Sequence, residues 1–153
     1  MSGLRSLLPR LALGMVLGLA LGSAPAPAAA PPAGDNPARN YFTDVVLLDQ
    51  DGRERRLYSD LLQGRVVVIN AFFTSCNGVC PVLTRNLAKV QEWLGPRLGR
   101  EAFMLSFSVD PETDTPERCK AFAETYGARA GWSFLTGSKQ NVEAALRKLG
   151  QYV

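Results

Sequence analysis

The tightest constraint on this chain is residues 65–73, where Val66, Val67, Val68 and Ile69 run on into Ala71, Phe72 and Phe73. A β-branched and aromatic run of that length has no polar face. It predicts a strand covered on both faces, which is the position of a parallel central strand. The residues downstream supply the alternation such a strand needs. Val82, Leu83, Leu87, Val90 and Leu94 recur at helical spacing, with Pro81 near the start and Gly95-Pro96 at the end. A strand over residues 102–109 follows, then the turn-rich Asp110-Pro111-Glu112-Thr113-Asp114. Thr115 is suited to cap a second helix and Pro116 to its first position; that helix runs to Tyr126 and stops at Gly127. Residues 132–135 read as a short strand, and 138–149 as a third amphipathic helix closed by Gly150. Upstream, residues 43–48 and 54–57 flank Asp49-Gln50-Asp51-Gly52, whose Asp-Gly step marks a β-hairpin, and residues 59–62 suggest a short helical turn. Strands alternating with helices of this length define an α/β layered fold, and no internal repeat interrupts it.

The chain opens differently. Arg5 and Arg10 precede a twelve-residue apolar run at 11–22, followed by small residues with A-x-A patterns at 24–26 and 26–28. Residues 1–30 therefore read as a secretory signal, residues 31–40 as a Pro/Ala-rich linker, and 41–153 as a single folded domain. A spanning helix needs about 20 apolar residues, so two fates stay open: cleavage, or retention of residues 7–24 as a membrane anchor. No cysteine follows the run, so a lipoprotein is not supported. The expected location is exported, in a periplasm or on the outer face of an inner membrane. Of the formal net charge of +3, two units belong to Arg5 and Arg10, and no basic run breaks the remainder. That leaves no electrostatic case for nucleic acid.

The chain has no histidine, so the commonest general base and metal ligand is missing. Chemistry then falls to Cys76 and Cys80 in Thr74-Ser75-Cys76-Asn77-Gly78-Val79-Cys80-Pro81, between the apolar strand and the first long helix. In open α/β sheets, sites form at the carboxyl ends of the strands. Two sulfurs four residues apart at a helix start converge, and the unpaired first N–H groups there favour a thiolate. A helix terminus contributes about 0.3–1 kcal/mol, up to about 2 when partly buried. That makes the pair reactive at neutral pH without ionising it fully. Two soft thiolates suit Cu(I), and in an oxidising compartment the same pair cycles between dithiol and disulfide. A purely structural staple closing so short a loop contributes about 2 kcal/mol, the low end for disulfides. Cys119 lies on one helical face with Phe122, Ala123 and Tyr126 and reads as a buried small hydrophobe. Asp110 is open between turn formation and lining the site, whereas Asp114 reads as a turn and capping residue. A carboxylate close to the cysteines would raise their pKa and oppose the helix. No peroxiredoxin-type P-x-x-x-T/S-x-x-C is present.

Residues 66–81, an apolar strand ending Phe-Phe-Thr-Ser-Cys before C-x-x-x-C-P, resemble the Sco/SenC proteins. So do residues 107–117, a strand running into D-P-x-x-D-T-P-E, and residues 132–137, a strand closing on Leu-Thr-Gly. The resemblance covers about residues 41–153. It implies a thioredoxin-like fold preceded by a β-hairpin, and a part in assembling the copper centre of a respiratory cytochrome c oxidase. That part is copper delivery, reduction of the acceptor's cysteines, or both. The partner would be the copper-acceptor subunit of the oxidase or another exported thiol protein. Family ligands for Cu(I)/Cu(II) fall on Cys76 and Cys80. The family's third ligand is a histidine on a strand after the third helix. With no histidine here, and the chain ending where that strand would begin, the expectation is a core lacking its C-terminal strands and the third ligand.

Overall fold

The computed structural model describes residues 36–151; the signal and anchor readings for residues 1–30 fall outside them. The first element is a short helix, α1 (Pro37–Phe42), which starts inside the segment expected to be linker. Two features invisible to hydrophobic periodicity fix it. Asn36 caps it, its Oδ1 accepting from the N–H groups of Ala38 and Arg39, and Pro37 takes the first helical position. The Asn36 amide also donates to the Tyr58 hydroxyl at 2.7 Å.

The hairpin forms as expected, with β1 (Val46–Asp49) antiparallel to β2 (Glu54–Arg56). Asp49 stabilises the turn by accepting from the N–H groups of Asp51 and Arg53, both at 3.0 Å. The expected helical turn is a wide, π-type one over Leu57–Leu62. Asp44 holds its start, accepting from the N–H groups of Tyr58 (3.1 Å) and Ser59 (2.7 Å).

The core follows as β3 (Val66–Phe72), α2 (Val79–Leu94), β4 (Ala102–Ser108), α3 (Pro116–Thr125), β5 (Trp132–Thr136) and α4 (Lys139–Lys148). The five-stranded sheet has the order β2-β1-β5-β4-β3, with β3, β4 and β5 parallel and β1 antiparallel to β5. One face carries Leu105, Phe107 and Leu135 against the π-type turn (Leu57, Leu61) and α4 (Val142, Leu146). The other carries Phe72, Met104, Trp132 and Phe134 against α2 (Leu87, Leu94) and α3 (Cys119, Ala123). Polar groups also tie the strands: the Ser106 hydroxyl donates to Asn70 Oδ1 (2.6 Å) and accepts from Trp132 Nε1 (2.9 Å), joining β3, β4 and β5.

One expectation is corrected. The apolar strand is covered on both faces, with Val67 and Ile69 against one cluster and Val68 and Phe72 in the other, yet it is an edge strand among the described residues. Hydrophobic pattern reports what lies above and below a strand, not what lies beside it. The position next to two hydrogen-bonded neighbours belongs to β4, seven residues of which six are buried. At the open end, Val66 is 67% exposed.

Gly131, just before β5, has φ +98°, and a Cβ there would lie 2.5 Å from the Gly99 nitrogen and 2.6 Å from its Cα. Both contacts are with backbone, so no side-chain rotation relieves them. Gly131→Ala is expected to destabilise the domain by more than about 2 kcal/mol, read as a lowered denaturant midpoint. Gly64→Ala, with φ +67° but open space around it, should cost less.

Candidate metal and redox site

The site is built where β3 gives way to α2. Beyond Phe72 the chain turns, and the Cys76 N–H donates to the Phe73 carbonyl at 3.2 Å. Gly78 then precedes α2, which puts Cys80 in the first helical turn and Pro81 just behind it. Cys80 is anchored through its carbonyl, which accepts the Thr84 hydroxyl at 2.7 Å inside the buried face of the helix. The two expected site cysteines are thus brought together, with unequal surroundings: Cys76 is half-buried, Cys80 is buried, and neither is in a disulfide.

Their chemistry is correspondingly unequal. The Cys80 thiol donates to the Cys76 sulfur, and so do the backbone N–H groups of Cys80, Gly78 and Val79. Together they pull the Cys76 pKa below its ordinary value. The N–H groups come from the start of α2, the unpaired donors every helix carries at its amino end. For Cys80 the direction reverses: burial, followed by its hydrogen bond to Cys76, raises its pKa. Cys76 is therefore the more readily ionised sulfur and Cys80 the less. No carboxylate is among the main causes on either cysteine.

Cys119 is a separate case. It is wholly buried on the core face of α3, and its pKa is pushed up to about 12 by burial and by the nearby charges of Asp114 and Glu117. It behaves as the small hydrophobe its helical spacing suggests.

The structure separates the two aspartates. Asp110 is half-buried and acts through its backbone: its N–H donates to the Ser108 hydroxyl, and its carbonyl accepts from Thr113 and Asp114. It makes the turn. Asp114 is the residue that reaches the cysteine loop. Its side chain is completely buried; Oδ1 accepts from both the N–H (3.1 Å) and the hydroxyl (2.5 Å) of Thr74, and Oδ2 accepts the Ser108 hydroxyl at 2.6 Å. A signal for this was present in hydroxyl residues at the ends of all three parallel strands, Thr74, Ser108 and Thr136, but it has no periodicity to advertise it.

Among the described residues no group of three or more His, Cys, Asp or Glu side chains comes together to hold a metal. A cavity of about 460 Å³ lies elsewhere, between the hairpin turn, α3 and the start of β5, and contains neither cysteine.

Geometry of this kind agrees with comparison. A profile of the SCO1/SenC family matches residues 34–153, and the chain belongs to that family. The SCO1 protein homolog of Bacillus subtilis is 37% identical over 94 residues, covering 61% of this chain and 47% of that protein. The structure of BsSco, described as a member of the Sco family of cytochrome c oxidase assembly proteins with a disulfide switch, is 34% identical with a TM-score of 0.62. That match covers 73% of this chain and 66% of the other. Bradyrhizobium japonicum ScoI, solved with copper bound, is 24% identical with a TM-score of 0.61 over 70% of this chain and 65% of its own, a likeness of fold. The chain spans about half the length of the curated relatives it matches.

Alkylation by iodoacetamide should follow the environments. Cys76 is expected to react first, reaching half its limiting rate at a pH below that of cysteine in an unfolded peptide, because the thiolate is the nucleophile. Cys80 should need a higher pH than that peptide, and Cys119 should stay unmodified until the domain is denatured. Peptide mass mapping across a pH series reads all three.

Proposed function

We propose that this domain is an extracytoplasmic copper chaperone that carries Cu(I) on Cys76 and Cys80 for assembly of a cytochrome c oxidase copper centre. The observation that carries the proposal is the pairing of a half-exposed, hydrogen-bonded Cys76 sulfur with a buried Cys80 thiol at the start of α2. Thiolates are the soft donors that select Cu(I). Binding displaces the Cys80 proton and any still on Cys76, so the ion takes the place that the proton between the two sulfurs now holds. The half-exposed side of Cys76 leaves the cargo within reach of an acceptor's thiols, to which it passes by ligand exchange. Burial of Cys80 and the hold of Thr84 keep that half of the site fixed while Cys76 faces outward. Family membership supports an acceptor in the oxidase, which we take to be its copper-binding subunit.

The same asymmetry favours a second reading, thiol–disulfide exchange. The Cys76 thiolate attacks an acceptor disulfide and forms a mixed disulfide, releasing one acceptor thiolate. Cys80, deprotonated in the step, attacks the Cys76 sulfur, and the acceptor leaves as a dithiol carrying two electrons while the Cys76–Cys80 disulfide forms.

Titrating the reduced protein with Cu(I) against a competing chelator tests the proposal. One copper per chain is expected for the native sequence and none for Cys76→Ser/Cys80→Ser. If native and double variant bind alike, copper carriage through this pair is wrong. If neither competes for copper while a Cys80→Ser variant traps a mixed disulfide, the exchange reading takes its place.

A further inference from the structure

We propose that Asp114 is the positioning residue of the cysteine pair, setting the redox equilibrium of Cys76 and Cys80 through Thr74. The inference rests on reading that pair as the working site. Thr74 is the second residue beyond β3 and lies two positions before Cys76. Its backbone N–H and its hydroxyl both end on one oxygen of Asp114, forty residues away in sequence. The other oxygen is held by Ser108 at the end of β4. The Asp114 main chain completes the clamp: its N–H donates to the Asp110 carbonyl at 2.9 Å, and its carbonyl accepts the Thr136 hydroxyl at 2.6 Å at the end of β5. One residue thereby joins the carboxyl ends of all three parallel strands at the edge of the cysteine loop.

Capping and turn formation do not explain this arrangement. The N-cap of α3 is Thr115, whose hydroxyl accepts the Arg118 N–H, and the turn is closed by Asp110 backbone groups. A carboxylate with no exposed surface is costly to keep in a protein interior. Asp114 meets that cost with three hydrogen bonds, two of them to the loop that delivers Cys76. Within the loop itself, the Cys76 N–H donates to the Phe73 carbonyl. Freeing Thr74 therefore lets the Cys76 end of the loop drift relative to Cys80, which the helix start and Thr84 keep in place. Two thiols held in position are pre-organised to close a disulfide, so loosening the loop shifts the pair toward the dithiol.

The readout is equilibration of the full chain with reduced and oxidised dithiothreitol. Reducing the Cys76–Cys80 disulfide consumes one reduced dithiothreitol, transfers two electrons and two protons, and yields the cyclic oxidised reagent. Asp114→Asn and Thr74→Val are each expected to raise the equilibrium constant for reduction of the pair by about threefold or more, about 15 mV in potential. Thr74→Ser, which keeps both hydrogen bonds to Asp114, should restore the native value. Should Asp114→Asn fail to fold, the Thr74 pair decides alone. An unchanged or decreased constant in Thr74→Val, or a Thr74→Ser variant no closer to native than Thr74→Val, overturns the proposal even if thermal stability falls. Dithiothreitol equilibration involves no copper, so its outcome is independent of whether the chain carries the metal.

Discussion

The structure depends on one buried carboxylate. Asp114 sits where β3, β4 and β5 end, and its hydrogen bonds to Thr74, Ser108 and Thr136 make those three ends a single unit. Parallel strands are joined by their ladders along their length, but nothing in a ladder fixes the loops that leave it. Side-chain polar bonds do that here. The same region then gains its chemistry without a dedicated charged partner, because the helix that must start beyond the loop brings unpaired N–H groups with it. Scaffold and reactivity are separate contributions: the clamp sets where the loop is, and the helix end sets what the sulfur becomes.

Much of this was legible in sequence, for reasons that differ by element. The α3 start was readable to the residue, because Thr115 and Pro116 act through local geometry that a sequence states outright. Strand β4 and helices α2 and α4 were readable from periodicity. The cysteines were readable as a pair from spacing and from their place between strand and helix. What stayed hidden was non-local. The edge position of β3 is a property of sheet order, and its composition is that of a strand with covered faces wherever it lies. The helix at Pro37 carried a local signal, the Asn36 cap and Pro37 behind it, but its six residues follow a Pro/Ala-rich stretch and show no apolar period; the bond from Asn36 to Tyr58 that adds to its hold is non-local. Asp114 and Asp110 look equivalent in a turn-rich motif, and only tertiary contact separates the one that clamps from the one that turns.

The difference between Cys76 and Cys80 on one side and Cys119 on the other shows how little residue type decides. All three are free thiols, and Asp114 lies close to Cys119, whose sulfur points to its carbonyl at 3.8 Å. There, burial and negative charge suppress ionisation. A few residues away in space, half-exposure and backbone N–H groups promote it. Keeping the third thiol inert leaves the pair without a competing thiolate that could exchange with it.

The strand that feeds the cysteine loop has a second consequence. Along Val66–Phe72 there is no charged or proline residue, and the one strongly polar side chain is Asn70. Before the fold closes, the same seven residues form a β-prone, uncharged stretch. The segment that leads into the reactive loop in the finished domain is therefore one that needs shelter until its two faces are covered.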